Sequence, residues 1–198
     1  SSAILENYDS IPDERKRRLL KDIQTDSQWL NRMVENLLTV TRVSPGGHKL
    51  NRSLEPLEEV LLEVLEKARG HFPQADIRVQ QPADLLLIPM DPTLMVQVLT
   101  NLIENAVKFS DGDHRIDLIV EEQEQTVTIT VRDYGPGIPE DELPLVKKKF
   151  YKGSSKARGS GIGLAVCDEI VSMHGGSLIL ENAQGGGTLV TVTLPASQ

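Results

Sequence analysis

The sequence predicts an α+β fold: a two-layer sandwich with helices on one face of a mixed, mostly antiparallel sheet, preceded by a helical hairpin segment. Three observations predict it. Short runs alternate branched apolar and polar residues, as in Thr126-Val127-Thr128-Ile129-Thr130-Val131, the period-2 signature of half-buried strands. Such runs follow one another at hairpin distance, which favours antiparallel pairing, while amphipathic stretches between them supply the second layer. The first part of the chain carries a helical heptad pattern instead.

Taken in order, residues 1–43 are expected to be helical. Ser10-Ile11-Pro12-Asp13-Glu14 marks a helix start, with a capping hydroxyl, an early proline and acids in the first turn. Leu20, Ile23, Ser27, Leu30, Val34, Leu37 and Thr41 then recur at alternating steps of three and four, a seam that requires a partner helix. Residues 1–9, with Ala3-Ile4-Leu5, read as the tail of a preceding helix. Ser44-Pro45-Gly46-Gly47 interrupts the pattern, so 44–52 is expected to be a linker and 53–198 a separate domain. In that domain the patterns predict a helix at 57–70, short strands near 76–80 and 85–89, and a helix at 92–109. Strands at 115–121 and 125–132 follow, then a short helix at 140–149 and a Gly/Ser-rich loop at 153–160. A helix at 161–174 and strands at 177–182 and 187–194 complete it.

Composition narrows the function. The 198 residues carry a net charge of −8 with few aromatics, which argues against nucleic acid, whose phosphates demand a basic face. No apolar run approaches the roughly 20 residues of a membrane helix. The single cysteine, Cys167, lies in the apolar run Leu164-Ala165-Val166-Cys167 and reads as a core residue. No Cys/His cluster has zinc spacing, and no GxxxxGK[ST] phosphate loop is present.

Three local patterns carry chemistry. Asp133-Tyr134-Gly135-Pro136-Gly137-Ile138-Pro139 ends a strand in an acid that can face a ligand, with glycines that let backbone come close to something bulky. On a helical wheel, Met95, Val98, Leu99, Leu102, Ile103 and Ala106 share one side, and Asn101, Glu104, Asn105 and Lys108 the other. Amide and carboxylate oxygens suit Mg²⁺, Lys108 could meet a phosphate, and Glu104 could act as a base. Gly159-Ser160-Gly161-Ile162-Gly163-Leu164 opens an apolar helix, whose bare N–H groups favour anions.

In this order, N-x-x-E-N-x-x-K, D-x-G-x-G, a Phe-containing segment and G-x-G-x-G resemble the ATP-binding catalytic domain of sensor histidine kinases of two-component systems, with the histidine-kinase/Hsp90-like ATPase fold. Gly185-Gly186-Gly187-Thr188 resembles the family's last glycine motif. Leu30-Asn31-Arg32-Met33-Val34-Glu35-Asn36-Leu37-Leu38 and Met173-His174-Gly175-Gly176 are most similar to the KdpD-type potassium and turgor sensors. The resemblance implies that Asp133 accepts a hydrogen bond from the adenine amino group and that Gly135 and Gly137, followed by Ile138, let backbone approach the base. It implies that Asn105 coordinates Mg²⁺, Glu104 is the base that activates the attacking histidine, Lys108 meets the phosphates and Asn101 has a supporting polar role. Gly159, Gly161 and Gly163, then Leu164, match the phosphate cradle, and Phe150, Tyr151 and Thr188 complete the ATP/ADP site.

Two departures stand out: Lys147 occupies a position that is usually aromatic, and the segment between Tyr151 and Gly159 is short. Val146-Lys147-Lys148-Lys149 is expected to be a solvated basic patch. The family's acceptor histidine is followed by an acid and later a Thr-Pro pair, and none of His48, His71, His114 and His174 has that context. Each is expected to be structural or solvated. The chain is therefore expected to be a fragment, a cytoplasmic domain of a membrane-anchored parent that forms a homodimer and passes phosphate to a response regulator receiver domain. Two rivals stay open: a nucleotide-sensing module without kinase output, and an ATPase of the chaperone or mismatch-repair type.

Overall fold

A computed structural model describes residues 11–24, 27, 34, 50–110, 112, 114–151, 153 and 161–196. The chain divides into two compact units, Ser1–Thr39 and Val40–Gln198. In the first, residues 13–24 are helical, as are Ser27 and Val34. The Lys16 amide donates to Pro12 O at 3.0 Å, closing the turn at the predicted helix start. Leu20, Ile23 and Val34 of the heptad seam stand largely in solvent. Leu30, Leu37 and Thr41 lie outside the described residues.

The second unit is built in the order β1 (Ser53–Pro56), α1 (Leu57–His71), β2 (Asp76–Gln80), β3 (Leu87–Met90), α2 (Pro92–Phe109), β4 (Arg115–Gln123), β5 (Thr126–Asp133), α3 (Gly163–Met173), β6 (Ser177–Asn182) and β7 (Thr188–Pro195). Its main sheet has the order β2-β4-β5-β7-β6. β2 runs parallel to β4, and every other neighbour pair is antiparallel. β1 and β3 form a separate antiparallel pair.

Strand alternation decides which face is covered. Ile116, Leu118 and Val120 of β4, Val127, Ile129 and Val131 of β5, and Val190, Val192 and Leu194 of β7 are all buried. The intervening threonines face outward, and the Thr130 and Thr191 hydroxyls bond across the strands at 3.1 Å. α2 lies on the apolar face against β4 and β5, flanked by α1 and α3. Its buried residues include all six assigned to its apolar side, from Met95 to Ala106. Asp91 caps it by accepting from the Leu94 amide at 3.2 Å, and Pro92 stands where no donor is needed.

Three expectations need correction. The stretch 140–149 forms successive turns, not a helix. Pro144 lacks the N–H a helix would use there, and the four-residue bonds of Leu143 to Pro139 O and Val146 to Glu142 O are interrupted by three-residue ones of Leu145 to Glu142 O and Lys148 to Leu145 O. Strand β1 was not anticipated, because four residues ending in proline show no clear alternation. Lys147 is only partly solvated: its ammonium donates to Asp168 Oδ1 and Leu178 O, both at 3.0 Å, while Lys148 and Lys149 are exposed and Lys149 pairs with Glu169 at 3.1 Å. These bonds tie the turn segment to α3 and β6.

His174, beyond the end of α3, is fully buried. A backbone carbonyl can only accept and an amide can only donate, so its Nδ1–H donates to Ile170 O (2.7 Å) and Nε2 accepts from Asp91 N–H (2.9 Å). The neutral ring thus joins the end of α3 to the cap of α2. Burial, opposed by the bond to Ile170, lowers its pKa. The unfolded chain therefore takes up a proton as pH falls through about 6.5 while the folded chain resists it, so stability present above that pH is lost below it. His174→Ala is expected to cost about 2–3 kcal/mol at pH 7.5, since an amide loses its acceptor and a cavity opens. Urea unfolding checks this. The loss of stability between pH 7.5 and 5.5 should also be smaller in the variant than in the parent.

Candidate nucleotide site

β5 delivers Asp133 to the edge of the core. Its carboxylate is buried, and Oδ1 accepts from the Gly135 amide at 2.9 Å and the Thr188 amide at 3.1 Å. Both bonds end on the same oxygen, Oδ1. Two backbone donors from different parts of the chain thus fix one acid.

The loop after Asp133 is held by close approach. A Cβ on Gly135 would lie 2.2 Å from Phe109 O, so only glycine lets the loop rest on the end of α2. Gly137 has φ +79°, and the Asn182 side chain binds Ile138 from both sides, accepting from its amide (2.8 Å) and donating to its carbonyl (2.7 Å). From the β6–β7 turn, Gly187 comes so near that a Cβ would sit 2.0 Å from Asp133 O. The D-x-G-x-G loop is therefore clamped between the end of α2 and the last glycine motif.

α2 carries the remaining polar candidates. Asn101, Glu104 and Asn105 are half-buried and Lys108 is exposed, with its ammonium 4.9 Å from the Phe109 ring centre. The Asn101 amide nitrogen points inward beside the Cys167 thiol, which burial pushes up to about 12. Cys167 is accordingly an inert core residue. Among the described residues, no group of three or more His, Cys, Asp or Glu could hold a metal by itself. A hard cation would have to share the Asn105 oxygen with ligand oxygens, which suits Mg²⁺ carried by phosphates.

At the other side, α3 begins at Gly163, two residues later than expected, without a side-chain cap. A Cβ at Gly163 would meet nothing within 4 Å among the described residues, whereas Leu164 packs against the core. Gly161 (φ +69°) accepts from the Phe150 amide at 2.8 Å, and Tyr151 O lies where its Cβ would be. Phe150 takes φ +68° and is mostly exposed. Gly159 lies outside the described residues.

Sequence reasoning missed two anchors. Asn182 is one; its place at a strand end before a glycine turn was the only available signal. The other surrounds Tyr134, whose hydroxyl donates to Asp117 Oδ2. Burial would raise the Asp117 pKa, but hydrogen bonds from Arg115 and Tyr134 outweigh it and lower it, while the bond to Asp117 raises that of Tyr134. No local pattern links residues this far apart in sequence.

A mixed, mostly antiparallel sheet with helices on one face, a fixed acid at a strand end and glycine loops around it are the features of a nucleotide-binding domain. Residues 90–198 match the histidine kinase-, DNA gyrase B- and HSP90-like ATPases, and the chain belongs to that family. It is 37% identical to the sensor protein KdpD of Clostridium acetobutylicum, over 98% of this chain and 22% of that protein. It is 36% identical to the Escherichia coli sensor protein KdpD, over 83% of this chain and 18% of that protein. The chain thus spans about a fifth of the length of these relatives. Among solved structures it resembles the Acinetobacter baumannii histidine kinase AdeS (TM-score 0.74, 26% identity, 100% of this chain and 93% of that one). The mycobacterial sensor histidine kinase MprB is similar over 73% of this chain and 97% of that one, with TM-score 0.66 and 27% identity. Among the described residues, no helix is long and apolar enough to cross a membrane.

Proposed function

We propose that this domain binds ATP with Mg²⁺ and transfers the γ-phosphate to a histidine on a dimerisation helix, for relay to a response regulator in a KdpD-like potassium or turgor pathway. The observation that carries the reading is Asp133, a buried carboxylate whose Oδ1 is held by two backbone amides; in this reading Oδ2 accepts the adenine amino group. The kinship with sensor histidine kinases supports the rest.

Each residue then has a defined task. The loop 134–138 lets backbone lie along the base. Gly163 leaves room for phosphate oxygens at the α3 N-terminus, where amides and helix dipole favour anions, while Gly161 lets the Phe150–Tyr151 backbone pass close beside it. Lys108, exposed at the end of α2, meets the phosphates. Asn105 would hold Mg²⁺, which offsets phosphate charge when bound. In the transfer, an imidazole nitrogen attacks the γ-phosphorus in line, the bond to the β-phosphate oxygen breaks, ADP leaves, and Glu104 takes the imidazole proton.

Incubation with radiolabelled ATP tests the reading. This chain alone should take up no label, having no histidine in the acceptor context. A separately supplied acceptor hairpin should be labelled slowly, because untethered partners lose the effective concentration that aligns them. Glu104→Gln should slow that transfer by about 100-fold while changing ADP affinity less than about threefold. No label in the mixture despite measured ATP binding would favour a nucleotide sensor without kinase output.

A further inference from the structure

We propose that Tyr134 is a positioning residue for adenine selection, acting through the backbone it shares with Asp133. The inference rests on the adenine reading of Asp133. Asp133 ends β5 buried on the core side, and Tyr134, just past the strand, packs with Arg115, Asp117 and Arg132, whose side chains leave β4 and β5 on the other face. On that outer face the Tyr134 ring lies between two guanidinium groups, with Arg115 Cζ 4.4 Å and Arg132 Cζ 4.6 Å from its centre. Its hydroxyl donates to Asp117 Oδ2, and the same carboxylate takes two bonds from Arg115, at 3.2 and 3.0 Å. Asp117 is only 5% exposed, so this acceptor is fixed in place.

The strand register makes the connection short. Ile116 pairs with Asp133 and Asp117 with Arg132, which sets the Asp117 carboxylate one step from the Asp133–Tyr134 peptide. Two cations over one ring repel each other, and the Asp117 charge between strands offsets that cost. The ring cannot turn without breaking the phenol bond and both stacks. The torsions that aim the Asp133 carboxylate are thereby set from the far face of the sheet, and the Gly135 amide is brought to Oδ1. The residues proposed to meet the phosphates, on α2 and at the start of α3, lie on other segments.

The test compares ADP with inosine diphosphate, which carries a carbonyl where ADP carries the amino group. Calorimetry should show that the parent prefers ADP. Tyr134→Phe, which keeps the stacks and loses the phenol bond, should narrow that preference about threefold, and Tyr134→Leu about tenfold. The loss should fall on ADP, with the affinity for inosine diphosphate unchanged. Equal weakening of both ligands, or a preference kept at the parent value in both variants, overturns the positioning role. A parent that binds both ligands equally overturns the Asp133 reading and this inference with it. If the Leu variant does not fold, the Phe variant, with its ring volume intact, decides the question.

Discussion

Asp133→Asn is expected to weaken ADP and ATP binding by about 100-fold with little change in the unfolding temperature. A charged acceptor facing the adenine amino group contributes about 1.5–3 kcal/mol, and tenfold in affinity corresponds to about 1.4 kcal/mol. The amide cannot reproduce the arrangement. Its oxygen is needed by the Gly135 and Thr188 amides, which now converge on Asp133 Oδ1. The NH₂ group would then occupy the place of Oδ2 and present a donor to a donor. Because the internal bonds survive, the fold should survive as well. Calorimetry with ADP, together with a thermal melt of the same sample, separates the two effects.

Gly187→Ala is expected to act in the opposite way, through the fold. Gly187 has φ +88°, and a Cβ there would lie 2.0 Å from Asp133 O and 2.8 Å from Asp133 C. Those atoms are backbone of a central strand and cannot swing aside. The left-handed conformation and the overlap together should cost about 3 kcal/mol or more, or about 10 °C in unfolding temperature. Gly185→Ala is the internal control: it has the same φ of +88° with nothing within 4 Å, so it should cost only about 1–2 kcal/mol. Thermal melts of the two variants side by side check this. If they lose equal stability, strain alone explains the motif and close approach to Asp133 does not.

The parts of this architecture that were legible in the sequence are those fixed by local pattern. α2 spans Pro92–Phe109 as anticipated, since a capping acid, a proline and an unbroken apolar stripe agree on its start and course. Buried alternation gave β4 and β5 to within two residues at either end. The turns at 140–149 were misread because Pro139 and the acids after it imitate a helix start, while the effect of Pro144 and the pull of Lys147 toward Asp168 act against it. In the site, Asp133 and its glycines were legible because each needs a special residue at a fixed offset. Asn182 and the Arg115–Tyr134–Asp117 cluster were not, because their meaning arises only when distant strands come together.

The central claim is that a carboxylate fixed at the end of β5 selects adenine. It is tested most directly by titrating the unaltered chain with ADP and GDP in the same Mg²⁺-containing buffer. ADP is expected to bind at least about 100-fold tighter than GDP, because the guanine carbonyl would face Asp133 Oδ2 acceptor to acceptor. Equal affinity for the two nucleotides would contradict it.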